Sequence, residues 1–453
     1  MRKSKKLPLA EGKLFDLGEP DKKDEDYGSK IKLKKGDTVD LLIKQAKKLV
    51  AEKLGKYKDM SRCVINLEDL QTFFDSTPDG AYVALDTETT GLDVFLDTLV
   101  GVCLCNGKQA IYVPLNHKNV FENRRWEDTV QMNPEAFKEL FLKLISERKF
   151  QWIYHNAKFD LAVMRTFLGR PLPDPYWDTM IAGQLLNQDE EHSLKYLYNK
   201  YIAVEDEGVN KFDTLFKGVT FDYVDIDSAT VYGAKDAFMT LELFEYQKKI
   251  LDQPDFAGVK YVMENIEMPL LPILEDMQRT GVNLNSTMCS DLKVKYEIRL
   301  AEASDKVYSE IAKYQEEIND YIATHYKQKL DNPINLSSPT QLSILFYDII
   351  GYKLKKGGRG TGIAELQEIN TDLTNALIEY RKAEKLIDAF LVALPAQISK
   401  YDNKIHTSLN QYGAATGRFS SSNPNLQQIP SRGEGKELRR LFGASPRIYI
   451  NEF

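Results

Sequence analysis

The chain has 453 residues, enough for two to four domains, and 43% of them are hydrophobic, so a sizeable core is available. Lys and Arg number 60 against 67 Asp and Glu, a net charge of −7 that excludes a uniformly basic nucleic-acid binder yet leaves room for a local basic groove. No apolar run approaches a membrane span, the N-terminus lacks a secretory apolar core, and Cys63, Cys103, Cys105 and Cys289 have no zinc spacing. These features predict a cytoplasmic protein with reduced thiols and no membrane partner.

Residues 1–36, rich in Lys, Asp, Glu and Gly, read as a mobile arm. Residues 37–57 carry Val39, Leu42, Ile43, Ala46, Leu49, Val50 and Leu54 at helical spacing, which completes an N-terminal segment 1–60. Across 61–255 strand and helix signals alternate. Strands are predicted at Arg62–Ile65, Ala81–Leu85, Leu99–Cys105, Ala110–Pro114 and Phe150–Tyr154. Helices are predicted at Leu67–Asp75, Met132–Glu147, from about Ala157, and from a cap at Ser228 to Ile250. The alternation predicts an α/β domain with a mixed sheet flanked by helices, and ligands in such sheets sit at strand carboxyl ends.

Asp86 and Glu88 lie at such an end, in YVALDTETTGLD (residues 82–93). Residues two apart on a strand share a face, so both carboxylates reach one point. Their mutual repulsion is about 1 kcal/mol even in water, and hard oxygen ligands favour Mg²⁺ or Mn²⁺. Asp160 alone reads as a helix N-terminal acid favoured by the dipole. Tyr232 and Asp236, four apart, share a helix face; alone they read as a packed phenol and an exposed acid. Asp178, Asp189 and Glu190 fall in a loop-rich stretch without assignment.

From 256 the pattern turns helical. Residues 260–281 form an apolar helix ending at Gly281, and 285–328 a long charged helical region, read as a hairpin, a coiled coil or a spacer. Ser337-Ser338-Pro339 starts a further helix. A flexible loop with Lys353, Lys355, Lys356 and Arg359 suits sugar–phosphate backbones, or is merely solvated; it lacks the phosphate-binding pattern G-x-x-x-x-G-K-[ST]. Residues 371–399 read as another helix.

Taken in order, DTETTGLD, HNAKFD and YGAKD resemble the DEDDy class of 3′→5′ exonucleases, of ribonuclease-H-like fold. The resemblance implies that Asp86, Glu88, Asp160 and Asp236 hold two Mg²⁺ or Mn²⁺ ions. It also implies that Tyr232 orients the attacking water and that Leu92 and Asn156 contact the DNA 3′ end. Further on, His406-Thr407, Thr416-Gly417-Arg418, Ser420-Ser421, Pro424-Asn425-Leu426-Gln427 and Ile429-Pro430, then Arg432, resemble the entry to the palm of family A DNA polymerases. IEMPLLPILEDMQRTGV and INLSSPTQL are similar to that family's thumb. Gln428 and Phe419 depart mildly from it, standing where Asn and Leu are usual.

The resemblance, over about residues 62–445, implies a proofreading exonuclease acting in DNA replication (61–255), a mostly α-helical thumb (256–403) and the incomplete start of an α+β palm (404–453). Its partners would be single-stranded 3′ ends and primer–template duplex, the latter gripped by Lys355, Lys356, Arg359 and Arg418. After Leu441-Phe442-Gly443-Ala444 the chain reads SPRIYINEF where the family continues to Asp-Tyr-Ser. The expectation is a chain without polymerase activity of its own, with Ile405, Leu409, Tyr412 and Leu441 exposed along an unpaired edge. Alternatives are a DNA-binding subunit whose palm and fingers come on a separate polypeptide, or a truncated product. The compactness suits a phage member.

Overall fold

Apolar strands in the first half of the chain build a six-stranded sheet, and helices cover it. The computed structural model describes residues 39–118, 130–203, 212–325, 330–355, 357–414 and 416–443. The N-terminal arm, Lys356 and the stretch SPRIYINEF lie outside the described residues. The chain divides into two units, Met1–Arg279 with Gln411–Phe419, and Thr280–Asn410 with Ser420–Phe453.

In the first unit α1 (Val39–Leu54) buries Ile43, Ala46, Val50 and Leu54 along one stripe. The strand β1 (Ser61–Cys63) is shorter than the expected Arg62–Ile65, because Asn66 already caps α2 (Leu67–Asp75), its Oδ1 accepting from Asp69 N at 2.8 Å. Strands β2 (Tyr82–Thr89), β3 (Leu99–Cys105) and β4 (Ala110–Pro114) follow; every residue of β3 and β4 is buried, as befits strands covered on both faces. Next come α3 (Pro134–Glu147), β5 (Gln151–Tyr154), α4 (Ala157–Leu168), β6 (Trp177–Asp178), α5 (Thr179–Leu186), α6 (Leu194–Tyr201) and α7 (Phe212–Leu215).

The long helix α8 (Ile226–Leu251) starts one turn earlier in its capping than the sequence suggested. Asp225 is the cap: its carboxylate accepts from Ser228 N at 3.1 Å and Ser228 Oγ at 2.6 Å, so the serine hydroxyl is spent as a donor. The sheet order is β1-β4-β3-β2-β5-β6. The β2–β3 and β3–β4 pairs are antiparallel, the others parallel, which leaves β2 between one neighbour of each sense. Helix α8 lies across β2, β3 and β4. It approaches closely because of Gly233, where a Cβ would stand 2.5 Å from Cys103 Sγ. Helix α9 (Ala257–Val262) passes through a π-helical turn, Met263–Glu267, into α10 (Met268–Thr280). One apolar helix was expected there, and Gly281 ends it at φ 61°.

The second unit is mostly helical: β7 (Asn283–Leu284), α11 (Ser286–Ile311), α12 (Gln315–Thr324), α13 (Pro339–Ser343), α14 (Ile363–Ile369) and α15 (Asp372–Leu386). The charged region 285–328, expected as a hairpin, a coiled coil or a spacer, sends α11 chiefly against the later helix α15. Short ladders join β8 (Ser408–Asn410) to β9 (Ser420–Ser422) and β7 to β10 (Phe442–Gly443). These correct the expected exposed edge. Ile405 and Leu441 are fully buried, while Leu409 and Tyr412 are half-buried. The reason is backbone supplied from residues 282–285: Val282 N donates to Ile405 O at 2.9 Å, Ile405 N returns the bond at 2.9 Å, and Asn285 N donates to Leu441 O at 2.8 Å. Among the described residues no helix is long and apolar enough to cross a membrane.

Candidate active site

The apolar half of β2 is fixed in the core by Val83, Ala84 and Leu85, so the strand delivers its polar half to one place. Asp86 stands opposite Cys103 on β3, and the register shifts between Glu88 and Thr89. Ligand atoms of Asp86, Glu88 and Cys103 lie within 4.8 Å of one another. Asp160 comes from the first turn of α4. It is the helix N-terminal acid expected from its position, but it is buried as well, and its Oδ1 accepts from Thr87 Oγ1 at 2.7 Å and Thr87 N at 3.0 Å.

The start of α4 is held by Asp178, which had no assignment from sequence. Its carboxylate accepts from Asn156 N at 3.2 Å and Ala157 N at 2.7 Å, and also from Met180 N at 2.8 Å and Ile181 N at 3.3 Å. One carboxylate thus satisfies the openings of α4 and α5. Asn156 itself takes the left-handed conformation, φ 66°.

Tyr232 and Asp236 project from α8 and are both buried, Asp236 at 5% exposure rather than in solvent. The Tyr232 ring stands edge-on to Phe216, centroids 5.3 Å apart. Two lysines meet Asp236: Lys235 Nζ lies 3.2 Å from Oδ1, and Lys195 Nζ on α6 donates to Oδ2. Each ammonium also sits 5.1 Å from the Tyr232 ring centroid.

Burial and crowding divide the carboxyl groups. Burial, then the Asp236 charge, pushes Asp86 up to about 7 against the pull of Lys195 and Lys235. Burial, then Asp86 and Asp236, holds Glu88 well above the usual carboxylate range. Burial and Asp86 raise Asp160 likewise, opposed by the Thr87 hydrogen bonds. Burial pushes Asp236 up too, but Lys195 and Lys235 outweigh it and the carboxyl ends below its ordinary value. Burial, then Asp236, Glu88 and Asp86, keeps the Tyr232 phenol protonated far above 10. This crowd of hard oxygens, which Lys195 offsets only in part at Asp86 and Glu88 and Lys235 only in part at Asp86, fits a site for divalent metal.

A cleft of about 1150 Å³ opens beside these groups, lined by Glu88, Tyr232, Leu92, Phe159, Phe212 and Phe216 among others. Leu92 is 88% exposed at its lip. Asn156 does not line this cleft. Sequence reasoning missed Lys195, which carries no local signal, and Lys235, which sits in plain view inside YGAKD. It also read Cys103 only as a reduced thiol without zinc spacing.

The four residues expected on duplex DNA are not gathered in one unit. Lys355 and Arg359 belong to the second unit, Arg418 to the first through Gln411–Phe419, and Lys356 lies outside the described residues. Lys355 and Arg418 are exposed. Arg359 is committed: its Nη1 donates to Asp348 Oδ1 at 2.8 Å, Nη2 bonds the second carboxylate oxygen, and the guanidinium lies 5.7 Å from the Tyr347 ring centroid. The basic loop is therefore tethered, not freely flexible, at this residue.

Residues 61–252 match the family model described as 3′-5′ exonuclease, and residues 299–451 match DNA polymerase family A. A DNA polymerase I of Chloroflexus aurantiacus is 30% identical over 379 residues, covering 80% of this chain and 37% of that protein. One of Synechocystis is 29% identical over 462 residues, covering 96% and 43%. A DNA polymerase of Bacillus phage SP01 is 25% identical over 416 residues, covering 78% and 43%. The chain thus spans about two fifths of the length of these relatives. Among solved structures, the polymerase domain of an M. smegmatis enzyme, in complex with DNA primer-template and dNTP, aligns with TM-score 0.65 at 20% identity. The alignment covers 85% of this chain and 59% of that one, a likeness of fold.

Proposed function

Starting from a chain that belongs to DNA polymerase family A and carries that family's 3′–5′ exonuclease domain, we propose that it hydrolyses the 3′-terminal phosphodiester of DNA at the Asp86 centre, the proofreading step of replication. The observation that supports this reading is the mutual proximity of the Asp86, Glu88, Asp160 and Asp236 carboxyls, of which Glu88 lines the aromatic cleft together with Tyr232. Asp86, Glu88, Asp160 and Asp236 are the proposed ligands of two Mg²⁺ or Mn²⁺ ions, which supply an activated water and neutralise the phosphate when bound.

The protein's own groups do the rest. Tyr232 keeps its proton and so orients the attacking water by hydrogen bonding; it does not act as the base. Leu92, exposed at the lip, wedges against the terminal base, and Phe159, Phe212 and Phe216 offer apolar faces to an unstacked strand. Asn156 is assigned a polar contact to the 3′ end. Single strands are then preferred to duplex, because the terminal bases must unstack to enter. In the same reading, residues 61–255 are the exonuclease, 256–403 the thumb and 404–453 the start of the palm. Lys355, Lys356, Arg359 and Arg418 would grip primer–template DNA through its phosphates.

The test uses the whole chain, Mg²⁺ or Mn²⁺, and 5′-labelled single-stranded DNA. Stepwise shortening from the 3′ end is expected, with Asp86→Ala slower by orders of magnitude. An unchanged rate in Asp86→Ala would refute the assignment.

A further inference from the structure

Two ammonium groups reach Asp236 from different parts of the first unit, and they are not equivalent. Lys235 precedes Asp236 on α8, and its side chain is fully buried, so it is a fixed part of the core. Lys195 comes from the first turn of the separate helix α6, and its side chain keeps 16% exposure. Its Nζ takes the Oδ2 atom of a carboxylate that the proposed function assigns to a divalent cation.

An ammonium and a dication cannot share one carboxylate oxygen at contact distance without repelling each other. Removing Lys195 from a metal-free site, on the other hand, would leave Asp236 facing Asp86 and Glu88 with, among the described residues, only the Lys235 ammonium beside it. The two states therefore place opposite demands on one side chain, and only Lys195, on its own helix and partly exposed, can meet both.

We propose that Lys195 is a built-in competitor for the divalent cation: its ammonium holds Asp236 Oδ2 in the metal-free protein and gives up that oxygen on metal binding, so that this residue sets the metal affinity of the site. Lys195 is in this sense a positioning residue for the reaction, acting through Asp236. The inference rests on the reading of Asp86, Glu88, Asp160 and Asp236 as metal ligands.

The experiment is Mn²⁺ binding to the full chain without DNA, by titration calorimetry or electron paramagnetic resonance, beside melting temperature with and without Mn²⁺. Lys195→Met keeps the stem and removes the charge, Lys195→Gln repeats the loss with a polar tip, and Lys195→Arg keeps the charge. Both neutral variants should bind Mn²⁺ tighter by about tenfold, which converts to about 1.4 kcal/mol. They should melt lower than wild type in chelator and no lower when saturated with Mn²⁺, while Lys195→Arg stays near wild type. A purely structural lysine would lower both melting temperatures and leave affinity unchanged or weaker, which would overturn the proposal. If the neutral variants fold only with Mn²⁺ present, dialysis against buffered Mn²⁺ still reads the affinity. Asp86→Asn separates the two readings. If it abolishes Mn²⁺ binding while the Lys195 variants bind as wild type does, the competitor idea fails and the metal site stands. If it changes nothing, the metal site itself has failed.

Discussion

Replacing Gly233 by Ala tests how tightly the helix carrying Tyr232 and Asp236 is pressed on the sheet. In an ordinary helix interior the change stabilises by about 1 kcal/mol. Here the new Cβ would lie 2.5 Å from Cys103 Sγ, roughly 0.9 Å short of the 3.4 Å where ordinary contact begins. Cys103 and Tyr112, the next neighbour at 3.3 Å, are both fully buried, so neither yields toward solvent. Overpacking of this kind costs about 1–3 kcal/mol, leaving a net loss of about 0–2 kcal/mol after the helix gain. The rate should suffer more. Tyr232 is adjacent to the substitution and Asp236 within the same turn, and a shift approaching 1 Å in a positioned group costs about 10²-fold. The assay is 3′-end release with Mn²⁺ and melting temperature for Gly233→Ala, Cys103→Ala and the double variant. Without Sγ the nearest contacts of the new methyl are 3.3 Å and 3.5 Å, so the double variant should recover most of the rate lost in Gly233→Ala. Wild-type activity in Gly233→Ala, or no recovery in the double variant, would refute the packing argument.

Three further outcomes are expected. Asp86 titrates at about 7 in the metal-free fold against 3.8 ordinarily, so the folded state holds a proton that the unfolded chain has released. That stability is full below 3.8 and lost as pH rises toward 7; in chelator, the melting temperature of Asp86→Asn should overtake wild type increasingly from pH 5 to pH 8, and a gap that shrinks would contradict the sign. Thr87→Val removes the 2.7 Å bond to Asp160 and keeps the 3.0 Å backbone bond, so the acidic limb of the metal-dependent pH–rate profile should move to higher pH, while Thr87→Ser should not shift it. In duplex binding, Lys355→Gln should reduce the slope of log affinity against log salt by about 0.9, and Arg359→Gln by less, because Asp348 already pairs it; an equal or larger effect at Arg359 would count against that pairing.

The α/β half was legible because its signals are local. Asp86 and Glu88 follow a short apolar run, the helix over Leu67–Asp75 appears as expected, and Tyr232 and Asp236 show their shared face by spacing alone. What sequence could not show is set by pairing over distance. Lys195 meets Asp236 across 41 positions, Asp160 meets Thr87 across 73, and nothing near Lys195 marks it as different from any other lysine on an amphipathic helix. The same holds in the second unit. Helix α11 looked self-contained because its partner α15 begins some sixty positions later, and Ile405 looked exposed because the backbone that covers it, at Val282, precedes it by more than a hundred. Ser228 was a reasonable cap by residue type, but Asp225 three positions earlier accepts both of its donors.

The division of the chain into units has a genetic consequence. Modules that travel by recombination are easiest to exchange when one crossover separates them. Here the first unit resumes at Gln411–Phe419 after the chain has left it at Arg279. That return is anchored: the largely buried Gln411 donates to the Glu267 carbonyl at 2.9 Å and to its carboxylate at 2.6 Å. A single junction near residue 280 would join a Glu267 from one parent to a Gln411 from another. Such a junction would keep the bond only if both parents carry the same pair, so a clean exchange of the first unit would need a second junction beyond Phe419, 144 residues of separation between the partners notwithstanding.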